Sequence, residues 1–422
     1  MVMSVYPGTF QSGTGAAAST VAVTGVGFQP KAIIFFFGGQ ATINTASDAT
    51  ARLCQGFAVD KTAGGIYNAG VFGFDLDNSA TSAAQHLISK TRCIEILSTG
   101  STSIGALSVT AFGADGFTVT IAQQFTADRL IGFYAIGGSD ISLAYGSDST
   151  IPTTATTKAI TGVGGVPDVV FMLGGGFLTA FDTYTNDVNN YFGVADRVGA
   201  TNLVWAGESD TGTGTAQTMH YCRRGNSLAS FANTIATTSM LGTVSSFDAD
   251  GFTISLSEAN GSADIFAYFI LKGGQYKVGG TTTPTDTVTT TAIAGVGFTP
   301  RGGLTLGSEG AENSSDTPTD DNVVSMGGFN STLQVIVGFE SFDGVGTMDC
   351  TVFASDVEIY AGVNSSGAFD QKTFLVSIDA DGFSYKNSLN SSSVASFFGY
   401  VLFGNDATAV SDNVYTSVYG SW

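Results

Sequence analysis

The feature that most constrains this chain is a stretch that comes back twice. TGVGFQPKAIIFFFGG runs from Thr24 to Gly39, TGVGGVPDVVFMLGGG from Thr161 to Gly176, and AGVGFTPRGGLTLGS from Ala294 to Ser308. The leading glycines Gly25, Gly162 and Gly295 stand about 135 residues apart, a domain's length and far beyond a solenoid period. Pro30, Pro167 and Pro300 lack an N–H and suit the first residue of a strand. The run Ala32 to Phe37 shows no alternation, which predicts a short strand covered on both faces, and Val169 to Leu173 reads the same way. In the third copy, Gly302 to Leu306 is weaker and partly alternating, which predicts one more exposed face there.

Two further anchors recur in the same order. AFGADGFTVTI (Ala111 to Ile121), SFDADGFTISL (Ser246 to Leu256) and SIDADGFSYKN (Ser377 to Asn387) each carry an Asp-Gly pair: Asp115-Gly116, Asp250-Gly251 and Asp381-Gly382. Such pairs suit a tight hairpin because glycine adopts positive φ without strain. Phe117, Val119 and Ile121 then alternate with Thr118 and Thr120, one face in and one out. RLIGFYAIGG (Arg129 to Gly138), DIFAYFILKGG (Asp264 to Gly274) and SFFGYVLFGN (Ser396 to Asn405) close the repeats and read as central strands. A tyrosine and glycine follow each one, at Tyr145-Gly146, Tyr276 to Gly279 and Tyr419-Gly420, and the same element opens the chain as Tyr6 to Gly8. Three domains thus come with four copies of this strand.

The fold class read from this pattern is all-β: three tandem antiparallel β-sandwich domains from an internal triplication, spanning 1–140, 141–274 and 275–408, with a C-terminal strand or arm at 409–422. Short linkers predict that the domains pack together and admit a pseudo-threefold arrangement. The spare strand, with Tyr415, Tyr419 and Trp422 as candidate assembly residues, is expected to pair with a sheet edge of the first domain or of a neighbouring subunit, the second being favoured. The acidic, small-residue stretch Asp406 to Asn413 would be its tether.

Composition narrows the function classes. A formal charge of -20 and a pI near 4.1 argue against a nucleic-acid surface, which needs clustered Lys and Arg, and against anionic membranes. The start MVMSVYPGTF lacks the basic and apolar parts of a signal peptide, and no run approaches the roughly 20 apolar residues of a membrane span; synthesis and assembly in the cytoplasm are expected. Cys54, Cys93, Cys222 and Cys350 are too sparse for a disulfide framework, so free, buried thiols are expected. No CxxC, HExxH, P-loop or G-x-S-x-G motif occurs, and GTGAAA (Gly13 to Ala18) is followed by a strand-like run where a dinucleotide site needs a helix. The chain therefore reads as non-enzymatic, with no cofactor, metal or catalytic residue expected. Asp115, Asp250 and Asp381 read as turn residues, since calcium needs six or more oxygens at wider spacing. AQH (Ala84 to His86) resembles AQTMH (Ala216 to His220), which makes His86 and His220 equivalent, with TMD (Thr347 to Asp349) placing Asp349 in the third repeat. Asp182, Tyr184, Asn186, Asn189 and Tyr191 form a polar, aromatic segment suited to stacking on sugars and bonding their hydroxyls, although an irregular loop of a structural protein looks the same and is the favoured reading.

Taken as a set, GVGFQP, GADGFTVTI and FYAIGGSDI resemble a unit of virion structural proteins of tailed bacteriophages, in which a GF-x-P strand, a DGF hairpin and an aromatic strand ending in GG recur in tandem. The likeness covers residues from about 1 to 405 in three passes. The order is also similar to H-type-lectin-like sandwiches, without an identifiable sugar-binding signature. The resemblance implies a capsid-decorating or tail-associated part of a virion, with other virion proteins and copies of itself as partners. A carbohydrate-binding adhesin at the tail tip, recognising a host surface glycan, is the alternative.

Overall fold

In the computed structural model, the described residues are 3–405 apart from 62–63, 78, 80–82, 211–216, 233–236, 314–316, 343 and 345–348. The all-β reading holds: 63% of the chain is strand, and none of the described residues is helix. The first repeat contributes β1 (Ser4–Gln11), β2 (Thr20–Thr24), β3 (Pro30–Phe37), β4 (Thr45–Asp48), β5 (Ala51–Asp60), β6 (Ile66–Asp75), β7 (Ala84–Ser89), β8 (Ile94–Ser98), β9 (Thr102–Gly113), β10 (Gly116–Gln123) and β11 (Leu130–Gly137). One sheet runs β1-β11-β3-β5-β6-β7 and the other β2-β10-β9-β8, and both orders recur in the second and third repeats. Each repeat is therefore a sandwich of a larger and a smaller antiparallel sheet.

Each larger sheet has a seventh strand, and it is borrowed. Thr185–Asn186 of the second repeat pairs with β7 of the first, Thr319–Asp320 of the third pairs with Thr218–Arg224 of the second, and β4 of the first pairs with Cys350–Ser355 of the third. The three loans run in one rotational sense and close a ring.

The apolar strands explain why the ring is compact. Along β3, Ala32, Ile34 and Phe36 face one core while Ile33, Phe35 and Phe37 face another. Val169, Phe171 and Leu173 join the first of these, whereas Val170 and Met172 pack under the second repeat's small sheet. The core that all three repeats share holds a group of rings in which Phe171 stacks on Phe269 at 4.6 Å between centroids, Phe57 meets Phe269 at 4.9 Å and Tyr134 meets Phe403 at 5.3 Å. Doubly covered strands are thus sandwiched between a private core and this common one. The third copy departs from its expectation. Gly302 to Leu306 is buried throughout, because Gly303 leaves room for the Phe329 ring and Thr305 spends its hydroxyl on the Ile359 carbonyl at 2.7 Å.

The Asp-Gly pairs do more than turn the chain. Asp115 accepts the N–H groups of Gly25 (3.0 Å) and Gly27 (2.6 Å). Asp250 does the same for Gly162 (3.0 Å) and Gly164 (2.7 Å), and Asp381 for Gly295 (2.9 Å) and Gly297 (2.5 Å). All six glycines have φ between 74° and 88°, which points successive amides at the carboxylate as a concave nest. The first and second anchors are therefore bonded to one another in every repeat. The bonds from Gly164 and Gly162 hold the Asp250 carboxyl below its usual range. The following glycine is needed for close approach: a Cβ on Gly116, Gly251 or Gly382 would overlap the carbonyl of Val23, Ile160 or Ile293 on the paired strand.

Gly251→Ala is accordingly expected to destabilise the protein by more than about 2 kcal/mol in a denaturant titration, in the range of backbone-strain substitutions. Asp250→Ala should release the Gly162 and Gly164 amides to fast hydrogen exchange while leaving those of Gly25 and Gly27 protected. Unchanged exchange at Gly162 and Gly164 would contradict the clamp.

Candidate functional site at the strand-exchange junctions

The polar side chains that sequence reading singled out converge on the junctions where strands are lent. At the first, β7 stops with its outer edge open and the polar segment before Val188 fills it, Thr185 opposite His86 and Asn186 opposite Gln85. Gln85 donates through Nε2 to Asn186 Oδ1 at 3.2 Å. His86 Nδ1 accepts the Asn189 N–H at 3.0 Å and lies 2.9 Å from the Asn190 amide oxygen. Accepting through Nδ1 leaves the proton on Nε2, so the ring is neutral. Burial lowers its pKa to about 4. On the flank, Arg92 bonds both Glu95 (2.5 Å) in its own repeat and Asp182 (2.9 Å) in the lent segment.

The second junction uses the other tautomer. His220 donates through Nδ1 to the Asp321 carbonyl at 2.7 Å, and burial again lowers its pKa to about 4. Trp205 Nε1 donates to Val323 O and Thr218 Oγ1 to Ser341 O, each at 2.7 Å. The third junction has no histidine. There Asn44 Nδ2 donates to Asp356 Oδ1 (2.8 Å) and Ser355 Oγ to Asn44 Oδ1 (3.0 Å).

The register fixes equivalences that sequence similarity alone mistook. Ala84 lies opposite Asp75, Thr218 opposite Ser209 and Cys350 opposite Ser341, so two residues on, His86, His220 and Val352 correspond. Asp349 is not the third counterpart. Its resemblance came from the TMD triplet, but pairing places Asp349 ahead of the strand, which starts at Cys350, and an apolar valine at the histidine position.

By the same register Asp75, Ser209 and Ser341 are equivalent, and they meet. One Asp75 carboxylate oxygen accepts from Ser209 Oγ at 2.5 Å and from Ser341 Oγ at 2.7 Å, and Asn322 Nδ2 donates to Ser209 Oγ at 3.1 Å. Burial raises the Asp75 pKa to about 6, against the pull of both hydroxyls. One residue earlier, Glu208 and Glu340 are equivalent buried acids. Asp187 and Asp321, both with left-handed φ of 69° and 70°, precede the neighbouring strands. Burial first, then Asp210 and Asp187, push Glu208 up to about 9. Burial, then Glu309, Asp321 and Asp370, drive Glu340 well above the carboxylate range.

The five residues named for sugar recognition are divided by this arrangement. Asn189 and Tyr191 are buried; Asn189 brackets the Phe231 backbone through both amide atoms, and Tyr191 lies in the second repeat's core. Neither ring nor amide faces a ligand, so these two leave the set. Asp182 and Asn186 stay exposed and Tyr184 half-buried, all along the first junction. Tyr415, Tyr419 and Trp422 lie outside the described residues. The four cysteines are free and buried. Two of the best-formed cavities, one beside Gln55 and one beside Asp75, have volumes of ≈ 10 Å³ and ≈ 0 Å³, room for a water at most and not for a small-molecule ligand. Sequence reading missed the lent strands; the one signal they carry is a short Asn/Asp-rich run just ahead of a long apolar strand. No protein-family profile, curated protein or solved structure matches this chain.

The buried acids give the junctions a pH dependence with a definite sign. Folded Glu208 keeps its proton to about 9 against an ordinary value of 4.5, so the folded chain binds the extra proton between those values and stability falls as pH rises through them. The histidines act oppositely, costing stability as pH falls from 6.5 towards 4. Glu208→Gln should therefore raise the thermal midpoint over the wild type more at pH 8 than at pH 5. An equal difference at both would show that Glu208 titrates normally.

Proposed function

We propose that this chain is a non-enzymatic structural protein of a tailed-bacteriophage virion, capsid-decorating or tail-associated, that works by protein–protein assembly in particles built in the host cytoplasm. The observation that carries the reading is the closed ring of lent strands around a common core. Such a body resists shear because no repeat can leave without breaking two sheets, a property suited to a static architectural part. Further support comes from the small sheet of the first repeat. The outward side of β2, β9 and β10 presents Thr20, Ala22, Thr24, Thr110, Thr118 and Thr120, and these strands carry no charged residue in a chain of net charge -20. An uncharged face on an acidic protein offers a contact surface with little desolvation cost. The alternative, a tail-tip adhesin for a host glycan, retains only Asp182, Tyr184 and Asn186, and Asp182 is already held by Arg92.

Labelled-antibody electron microscopy of purified particles tests this. Regular coverage of the head or tail is the expected result. Labelling confined to the tail tip together with glycan binding would favour the adhesin, and absence from particles would overturn both.

A further inference from the structure

Arg52 and Arg129 flank Gly39, just past the end of β3, where the first repeat meets the third. A Cβ on Gly39 would stand 3.3 Å from Arg52 Cγ and 3.4 Å from Val352 of the third repeat, and Arg129 Nη1 donates to the Gly39 carbonyl at 3.2 Å. Arg52 Nη1 donates to the Thr50 carbonyl at 2.6 Å, in the short turn between the lent strand β4 and β5. Among the described residues these are the only hydrogen bonds of the two side chains, although a guanidinium carries five N–H donors. Both residues are half-buried, so their free donors are not sealed from solvent.

Nor are the two charges neutralised. Arg92, Arg197 and Arg224 are each paired with a carboxylate, whereas among the described residues Arg52 and Arg129 are not. The acid next in the chain, Asp128, turns one oxygen to the Ser12 hydroxyl and to the backbone N–H groups of Gly13 and Arg129. Burial first, and then the Arg129 charge, lower the Arg52 pKa to about 10, with Cys350 pulling it upwards. It remains a cation at neutral pH, and two partly buried like charges cost stability unless an anion offsets them. The fold itself does not ask for them. Strand register places Asn189 and Asp264 at these positions in the second repeat, and Val323 and Ser396 in the third, so two repeats close the same corner without a cation.

We propose that Arg52 and Arg129 form a binding site for a small dianionic oxyanion of the phosphate type, free or as a monoester, held between the two guanidinium groups beside the third junction. Guanidinium forks match the edges of a tetrahedral oxyanion, and a dianion neutralises both charges where a monocarboxylate neutralises one. A long polyanion is disfavoured, because it needs cations clustered along its length and this chain carries a net charge of -20. The bound ion braces the turn that brings β4 back from the third repeat, at the one junction without a histidine. The site stands on the arginine geometry alone and is independent of the assembly reading.

Calorimetric titration of the full chain with inorganic phosphate should show one saturable site. Arg52→Gln and Arg129→Gln should each weaken it at least tenfold, while Arg197→Gln, whose side chain is held by Asp168, should not. Glycerol phosphate binding as tightly would assign the site to monoesters and its failure to bind would assign it to the free ion; either sustains the proposal. Acetate binding as tightly as phosphate would overturn the choice of a dianion. In the wild type, phenylglyoxal should modify Arg52 and Arg129, read by mass spectrometry of the digested chain, and phosphate should slow that modification at least fivefold. Absence of binding, binding undiminished by either substitution, or modification indifferent to phosphate would each overturn the site, the last without relying on a variant that folds.

Discussion

The structure depends on the fact that each large sheet has two apolar faces. In β3 the even-numbered Ala32, Ile34 and Phe36 and the odd-numbered Ile33, Phe35 and Phe37 are equally buried but in different cores. A small sheet can cover one face only, so the second must find apolar surface elsewhere, at roughly 25 cal/mol for each Å² removed from water. Three such faces turned towards one another satisfy that demand, and a single repeat alone would leave its set in water. The lent strands are a consequence of this proximity. Once the large sheets meet, the edge beyond β7 and its counterparts lies within reach of the loop that leads into the neighbour's next strand, and pairing it there satisfies backbone groups that the meeting would otherwise bury.

What could be read from the sequence follows the same division. The three anchors were legible because each combines a long apolar run with backbone chemistry that few residues can supply, and the glycine pair and its distant aspartate recur in each repeat, 90, 88 and 86 residues apart. The carboxylate clamp itself was not legible, since nothing in Asp115 announces that it will accept from Gly25 and Gly27 some ninety residues upstream. The lent strands were harder still. Thr185–Asn186 and Thr319–Asp320 are two residues long, too short for any periodicity, and their partners belong to another repeat. Polar composition then suggested a ligand loop, when Asn189 and Tyr191 are polar and aromatic because they are spliced between strands. Asp349 was mistaken for the counterpart of the histidines for a related reason: local triplets can be matched in any register, whereas strand pairing allows one.

Electrostatics at the junctions temper the large formal charge. Burial pushes Glu208 up to about 9 and Glu340 well above its ordinary range, so Glu208, packed between repeats, adds no negative charge near neutral pH and the folded chain carries less charge than its composition counts. Repulsion is left to the exposed surface, where water and salt screen it. The two histidines contribute in the same sense, since each is kept neutral and used as a directional hydrogen-bonding group, accepting at His86 and donating at His220.

One chain carrying three repeats can also do what three identical chains cannot. At the meeting point of Asp75, Ser209 and Ser341, a symmetric trimer would have to place the same residue three times. Three aspartates would set like charges in contact in a dry core, and three serines would lack a strong common acceptor. With one carboxylate and two hydroxyls, a single oxygen of Asp75 collects both donors, which ties the first repeat to the second and third at one atom. The same freedom lets one junction dispense with its histidine and use Val352, where β4 is four residues long and its longer ladder supplies the hold that a ring nitrogen supplies in the other two.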